Sequence, residues 1–373
     1  WLPTLRLKLT YGLTGNITNT SAYPTASYSK DALTGFQNAN IQNPPNPALT
    51  WEKTSIFNAG LSFESRGQRL SGSLEYYTKK ATNLLGEAPL DPTTGFFWGT
   101  SYTVTRNYAS TAGQGIDASI SALVVNKAIV WSSRLMASYN MTRVKEYYGV
   151  PTISDYLDGF VVKGYSRGEI FSYHWGGLDP VNGNPLAYLD GMITDDYSAV
   201  LSQTTQEELI DNGPSIPRWF GALSNNVSWK GLSLAIGIAY KAGYYFRRKS
   251  IQYAINGNHK DYADRWQHPG DEKVTVVPSL PDFTTNYSSR YTFYKYSEAL
   301  IQKGNHIRLQ YVNLSYNFSP NRNKTRFFKN VQLVLSGNNL GILWRANKYN
   351  IDPDYQAGIP APKTFSAGLN VSF

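Results

Sequence analysis

The stretch TFSAGLNVSF, Thr364–Phe373, places an apolar side chain at every second position. Phe365, Ala367, Leu369, Val371 and Phe373 alternate with Thr364, Ser366, Gly368, Asn370 and Ser372. A period of two sends the first set to one face of a β-strand and the second set to the other. In a soluble protein a strand finishing on an aromatic carboxy-terminus would leave an exposed hydrophobic edge, which invites aggregation. The fold therefore turns on what the apolar face meets.

The same alternation recurs along the chain. Leu5, Leu7, Leu9, Tyr11 and Leu13 interleave with Arg6, Lys8, Thr10, Gly12 and Thr14. Further runs cover Phe57–Phe63, Leu70–Tyr77, Ile116–Val124, Trp131–Asn140, Arg218–Trp229, Leu232–Lys241, Asn305–Phe318 and Val331–Leu335. The run at Asn305–Phe318 changes phase between Leu309 and Val312, which predicts a β-bulge near Gln310. Helix-period patterns are nearly absent. About ten strands result, most about 9–12 residues long, the length a strand needs to cross a bilayer at a tilt.

The connections alternate between short and long. Ser65–Gln68, Asn126–Ala128 and Lys230–Gly231 are tight, and a moderate stretch joins the eighth and ninth runs. Gly15–Lys53, Ala81–Ala112, Lys145–Pro217, Arg247–Gly304 and Trp344–Pro362 are long. A soluble sandwich has no reason to gather its long loops at one end, whereas outer-membrane barrels pair short periplasmic turns with long outer loops. The polar parity reads as a hydrated lumen, carrying Arg6, Lys8, Arg134 and Lys241. The apolar parity reads as a lipid face with aromatic girdles. A membrane tolerates no open sheet edge, so these strands require further strands or closure.

Composition agrees. Of 373 residues, 14% are aromatic and only 16% charged, against roughly 25% charged in an ordinary globular domain. No stretch approaches the roughly 18 apolar residues of a membrane helix. There is no cysteine, which removes disulfides, thiol nucleophiles and Cys-based zinc sites. The net charge of +9 is scattered rather than blocked and does not argue for nucleic acid. The chain opens WLPTLRLKL, with no initiator Met and no secretory leader pattern, so its start is expected to be an internal point of a longer product.

Several segments, in order, resemble the C-terminal portion of SusC/RagA-family TonB-dependent outer-membrane transporters. LRLKLTYGLTGN (Leu5–Asn16), NPALTWEKTSIFNAGLSFE (Asn46–Glu64) and LSGSLEYYTKKATNLL (Leu70–Leu85) are similar to successive barrel strands of that family. So are SIPRWFGALSNNVSWKGLSLAI (Ser215–Ile236) and HIRLQYVNLSYNFS (His306–Ser319). VLSGNNLGIL (Val334–Leu343), then IDPD (Ile351–Asp354), and PAPKTFSAGLNVSF (Pro360–Phe373) complete the series. The chain departs from the pattern at NYASTAGQGID (Asn107–Asp117), where Ala109 and Gln114 replace the family's Gly and Asn-Lys.

The resemblance implies an antiparallel transmembrane β-barrel of 22 strands with an N-terminal plug and a TonB-contacting segment. Residues 1–373 would be about ten C-terminal strands of it. It further implies a nutrient importer for oligosaccharides or peptides. Its partners would be a SusD/RagB-like surface lipoprotein, TonB with its inner-membrane motor, the barrel-assembly machinery and outer-membrane lipid. A stand-alone barrel acting as an adhesin or surface protease is the alternative.

Little in the chain resembles catalytic chemistry. G-x-S-x-G, H-E-x-x-H and P-loop patterns are absent, and His174, His259, His268 and His306 show no metal-ligand spacing. His259 and His268 share a loop with Asp261, Asp264, Asp271 and Glu272, which reads as a solvated polar loop rather than a metal site. No enzyme, cofactor or metal is expected. For ligand contact the candidates are Tyr173, Trp175 and Asp179 in the aromatic loop Gly164–Gly191, and Trp266 in Asp264–Pro278. Flat rings beside hydrogen-bonding side chains suit oligosaccharides; the competing reading packs these rings onto the loop itself and uses Asp179–Pro185 as a turn. Phe365, Leu369, Val371 and Phe373 form a candidate barrel-assembly signal, since that machinery reads an aromatic-terminated last strand.

Overall fold

The computed structural model describes residues 2–17, 22–91, 93, 103–255, 259–283, 287–318, 330–356 and 358–372. Its wall begins with β1 (Thr4–Asn16). A loop hairpin of β2 (Thr25–Lys30) and β3 (Gln37–Asn43) follows. The wall resumes with β4 (Glu52–Glu64), β5 (Leu70–Pro89), β6 (Thr103–Asn126) and β7 (Ile129–Tyr147). The next loop folds into α1 (Ile153–Leu157), β8 (Glu169–Ser172), β9 (Trp175–Leu178), β10 (Pro185–Leu189), β11 (Met192–Thr194), α2 (Tyr197–Gln203) and β12 (Ile210–Pro214). The wall hairpin β13 (Trp219–Trp229) and β14 (Leu232–Ala242) follows. Another structured loop holds β15 (Tyr245–Arg247), the helix α3 (Tyr287–Tyr296), which packs against α2, and β16 (Ile301–Lys303). The wall then ends with β17 (His306–Phe318), β18 (Asn330–Arg345) and β19 (Thr364–Ser372).

Ten strands form one antiparallel sheet in the order β1-β4-β5-β6-β7-β13-β14-β17-β18-β19, each wall strand beside its neighbour along the chain. The short turns follow from local chemistry. Lys230 and Gly231 both adopt positive φ (45° and 85°), the pair a two-residue type I′ hairpin requires. At the β4–β5 turn, Ser65 Oγ accepts from the Leu70 N–H at 2.8 Å. The predicted bulge is present: Leu309 pairs with Ile238 and Tyr311 with Gly237, leaving Gln310 out of register.

The ladder settles which side chains share a face, because directly paired residues point the same way. Leu5, Phe63, Gly72, Ile120, Leu135, Leu223, Ile238 and Leu309 form one continuous apolar row. The opposite face carries the row Lys8, Gly60, Glu75, Asp117, Ser138, Phe220, Lys241 and His306. There Ser138 Oγ donates to Asp117 Oδ1 at 2.5 Å, and Arg134 Nε donates to Ser121 Oγ at 2.9 Å. Arg6, Lys8, Arg134 and Lys241 all lie on this polar face, as their parity predicts. The apolar face carries aromatics toward both ends: Tyr139 and Trp219 lie 4.6 Å apart near the long loops, and Tyr316 and Phe318 5.1 Å apart near the turns. No helix among the described residues is long and apolar enough to cross a membrane; the spanning elements are strands.

Two expectations are corrected. The stretch Ala81–Ala112 is largely strand rather than loop, since β5 and β6 stay paired from Leu84–Ala109 out to Pro89–Thr103. Likewise β18 continues to Arg345, well beyond Leu335. Beyond the lipid band neither face is held to an apolar or polar rule, so the period-two signal fades while backbone pairing continues. Register shifts flank Ala109 on both of its neighbours, at the point where the sequence departs from the family pattern.

Candidate ligand-facing loop cap

The loops at the long-loop end are folded rather than loose. α1 starts in a capping box: Thr152 Oγ accepts from the Asp155 N–H, and the Asp155 carboxylate accepts from the Thr152 N–H at 2.6 Å. β8 pairs with β12, and β9, β10 and β11 form a small sheet. Their apolar faces enclose a core that includes Tyr156, Leu157, Phe171, Tyr173, Tyr197, Val200 and Phe293. Phe293 comes from α3, in the next long loop, so the core fastens two loops together. Its ring lies 5.8 Å from Tyr173, 5.8 Å from Tyr197 and 6.2 Å from Trp175.

Tyr173 is 4% exposed and works as a joint. Its N–H donates to the Tyr296 carbonyl at 3.0 Å, and its carbonyl accepts from the Glu298 N–H at 3.0 Å. Burial pushes its hydroxyl up to about 12. Arg247 crosses the same seam, donating to the Leu157 carbonyl at 2.8 Å and to the Phe171 carbonyl. Desolvation pulls its guanidinium down to about 10. Arg290 Nε donates to Asn184 Oδ1 at 3.1 Å, tying α3 to the Asp179–Pro185 turn.

The four candidate contact residues are therefore placed unequally. Trp175 is half-buried, stacked toward Phe293 and tilted against Tyr294. Asp179 organises its turn, its carboxylate accepting from the Val181 N–H at 2.7 Å. Trp266 is 8% exposed and lies flat over Gly183, whose φ is +71° and where a Cβ would fall 2.4 Å from the ring. The structure thus joins Trp266 to the Asp179 turn, through a glycine that leaves room for the indole. His174, between β8 and β9, is exposed although Phe171, Ser172 and Tyr173 before it are all buried, and its ring is stacked 4.3 Å from Tyr188 at an interplanar angle of 23°.

A second arrangement was not singled out from the sequence. On the polar face, Arg308 Nη2 donates to both Asp352 oxygens at 2.5 and 2.7 Å. Lys241 Nζ donates to Asp354 Oδ1 at 2.7 Å, and His306 Nε2 lies 3.3 Å from Asp354 Oδ2. Tyr244 Oη lies 3.2 Å from His306 Nδ1. The His306 hydrogen bond, followed by Lys241, holds the Asp354 carboxyl well below the usual carboxylate range. IDPD thus staples the last long loop to the lumen-side ends of β14 and β17. In the loop of His259 and His268, buried Asp261 pairs with Arg248, and the Asp271 carboxylate accepts from the Gln267 and His268 N–H groups at 2.9 Å. Among the described residues no group of three His, Cys, Asp or Glu side chains could hold a metal.

In the assembly-signal stretch, Phe365, Leu369 and Val371 share β19's apolar parity and pair with Gly337, Leu333 and Val331 of β18. Phe373 lies outside the described residues.

A sheet apolar on one face, polar on the other and crowned by folded loops is part of a transmembrane β-barrel. Comparison with known proteins narrows the class. No protein-family model matches the chain. TonB-dependent receptor P26 of Formosa agariphila is 26% identical over 419 residues, covering 99% of this chain and 40% of that receptor. TonB-dependent receptor SusC of Bacteroides thetaiotaomicron is 31% identical over 151 residues, covering 38% of this chain. The RagAB peptide importer in its closed-closed state superimposes over 100% of this chain and 41% of its own, with a TM-score of 0.77 and 23% identity. Its open-open state gives 0.77 and 24%. The resemblance to TonB-dependent receptors thus holds along the whole chain, with the fold of RagA, and the chain spans about 40% of the length of the curated relatives it matches from end to end.

Proposed function

We propose that this chain is the C-terminal wall and loop cap, residues 1–373, of an outer-membrane TonB-dependent nutrient importer. It would take up oligosaccharides or peptides together with a SusD/RagB-like surface lipoprotein. The observation that carries this reading is the pairing of a two-faced wall with a folded cap of two loops, beside which IDPD staples the last long loop to the wall's polar side. A ligand arriving from outside meets the cap first and the hydrated face next. TonB, acting through the remainder of the receptor, would supply the pull that opens a path. The matched RagAB structures are those of a peptide importer, which supports the class, and the SusC and P26 relatives are TonB-dependent receptors by name.

Within this reading Tyr173, Trp175, Asp179 and Trp266 frame the ligand-facing surface, with Tyr173 and Trp266 fixing the loops from within. The stacked His174–Tyr188 pair offers the outward ring face. Phe365, Leu369, Val371 and Phe373 serve as the strand read by the barrel-assembly machinery. The wall and cap do no covalent chemistry.

The test is uptake by cells carrying the full-length receptor, with labelled oligopeptides and oligosaccharides offered separately, before and after an uncoupler. Uptake of either class that the uncoupler abolishes supports the proposal and names the substrate class. Adhesion or peptide cleavage that persists with the uncoupler, without uptake, would instead favour the adhesin or protease alternative. Tyr188→Ala is expected to weaken ligand binding about tenfold while leaving the cap protease-resistant, as loss of one stacking ring would.

A further inference from the structure

Above its apolar band the outer face of the wall changes character. The row Leu9, Ala59, Tyr76, Ile116 and Tyr139 is followed by Tyr11, Phe57, Thr78, Gln114 and Met141, then by Leu13, Ser55, Lys80, Ala112 and Arg143. Paired residues share a face, so Lys80 and Arg143 point to the same side as Leu9 and Ile116, away from the lumen. Lys145 joins them at the irregularity beyond Arg143. With Tyr11, Phe57 and Gln114 these three cations line a shallow cavity of about 350 Å³. Lys53 adds a fourth cation on this face, one row higher beside Gly15.

None of these cations is in an ion pair among the described residues. The nearby carboxylate, Glu146, accepts from Ser110 Oγ at 3.0 Å. The depth is informative. From Val124 to Gln114 the outer face of β6 advances about 33 Å along the strand, at ~3.3 Å per residue. At a tilt of about 40° that is ~25 Å of membrane normal, the height of an outer-membrane barrel's apolar band. Lys80 and Arg143 therefore stand one row past the band, at headgroup level on the long-loop side.

We propose that this patch docks the phosphate-bearing headgroup of an outer-leaflet glycolipid. The inference rests on the outer-membrane reading above. The aromatic and thioether floor of the cavity, Tyr11, Phe57 and Met141, continues without a break into the Ile116 band. A lipid occupies both parts, headgroup against cations and acyl chains against the band, whereas free phosphate would leave the apolar wall unused. Long basic side chains lie along apolar surface and raise their charge to the interface.

The test uses the full-length receptor, purified in neutral detergent and studied by native mass spectrometry with added lipid A, dephosphorylated lipid A or inorganic phosphate. The K80E/R143E/K145E variant is compared with R6E/K8E, which makes the same kind of charge change on the lumen face. At about fivefold per cation, the attraction one basic residue gains at an anionic surface, the outer variant should bind lipid A roughly a hundredfold more weakly. R6E/K8E should match the native receptor, and removing the phosphates should erase the difference. Equal lipid A binding by both variants would overturn the proposal, as would displacement of lipid A by millimolar inorganic phosphate, which marks a free-anion site. Membrane fractionation separates the two readings. A native receptor absent from the outer membrane ends both, while one present there but indifferent to the outer charges ends only this one.

Discussion

The wall and the cap use the same kinds of side chain against opposite surroundings. Leu7 and Leu13 of the wall are 71% and 72% exposed, whereas Phe293 and Val200 of the cap are fully buried. The wall has no side-chain core on that face because its apolar partner is the bilayer. The cap stands in water and must build a core of its own, drawn from two loops that are far apart in sequence. One chain thus obeys two burial rules, switching at the row where lipid ends.

Emptying the cap's core puts that division under the greatest load. Phe293→Ala removes the ring that Tyr173, Trp175 and Tyr197 surround, and should cost about 3–5 kcal/mol locally. Limited proteolysis should then cut within residues 148–218 and 243–305, while the heat-modifiable mobility of the barrel on gels stays unchanged. If cap and wall melted together, they would not be separate burial systems.

The converse change strikes the wall. Ile120→Arg places a cation in the middle of the apolar row and should destabilise the membrane-inserted state by about 2–4 kcal/mol, as charged residues do near a bilayer midplane. Urea-unfolding midpoints in lipid vesicles would show it. The cap's protease pattern should not respond, because Ile120 touches lipid and no cap residue depends on it.

These two changes also mark what the sequence could reveal. The wall was legible because lipid on one side and water on the other enforce a strict period of two, even through the bulge at Gln310. That rule lapses where β5 and β6 leave the bilayer, so Thr82–Pro89 looked like loop although it is paired strand. The cap was only partly legible. Its aromatic content marked the loop Gly164–Gly191, but which ring faces inward depends on contacts with α3, more than a hundred residues away. IDPD was visible as a motif, yet its partners Lys241, His306 and Arg308 become neighbours only through the β14–β17 ladder.

A smaller effect tests the staple that holds the last long loop to the wall. The folded-state carboxyl of Asp354 titrates below its unfolded value, so its contribution is complete above about pH 4 and is lost as pH falls through the lowered folded-state value. Acid should therefore release residues 346–363 before the wall unfolds, read as faster hydrogen exchange in that loop alone. Asp354→Asn should raise exchange in that loop at neutral pH and weaken its acid dependence, while Asp352 still holds Arg308. Loosening that begins between pH 5 and 8 would point to another group.

The smallest expected effect comes from neighbours in the chain. Leu7 and Lys8 differ by one residue and face lipid and lumen respectively. Lys8→Ala should change the unfolding midpoint by no more than about 0.5 kcal/mol, since a hydrated side chain in no ion pair among the described residues contributes little. Leu7→Ala removes about three methylene-equivalents of apolar surface from the lipid face, so it should cost more than Lys8→Ala even though both side chains are exposed in the isolated chain. Measured in vesicles, the two substitutions separate by face; measured on protein held in urea, where no bilayer distinguishes the faces, they should converge. Equal costs in vesicles would mean that the parity read along β1 does not describe what its two faces touch.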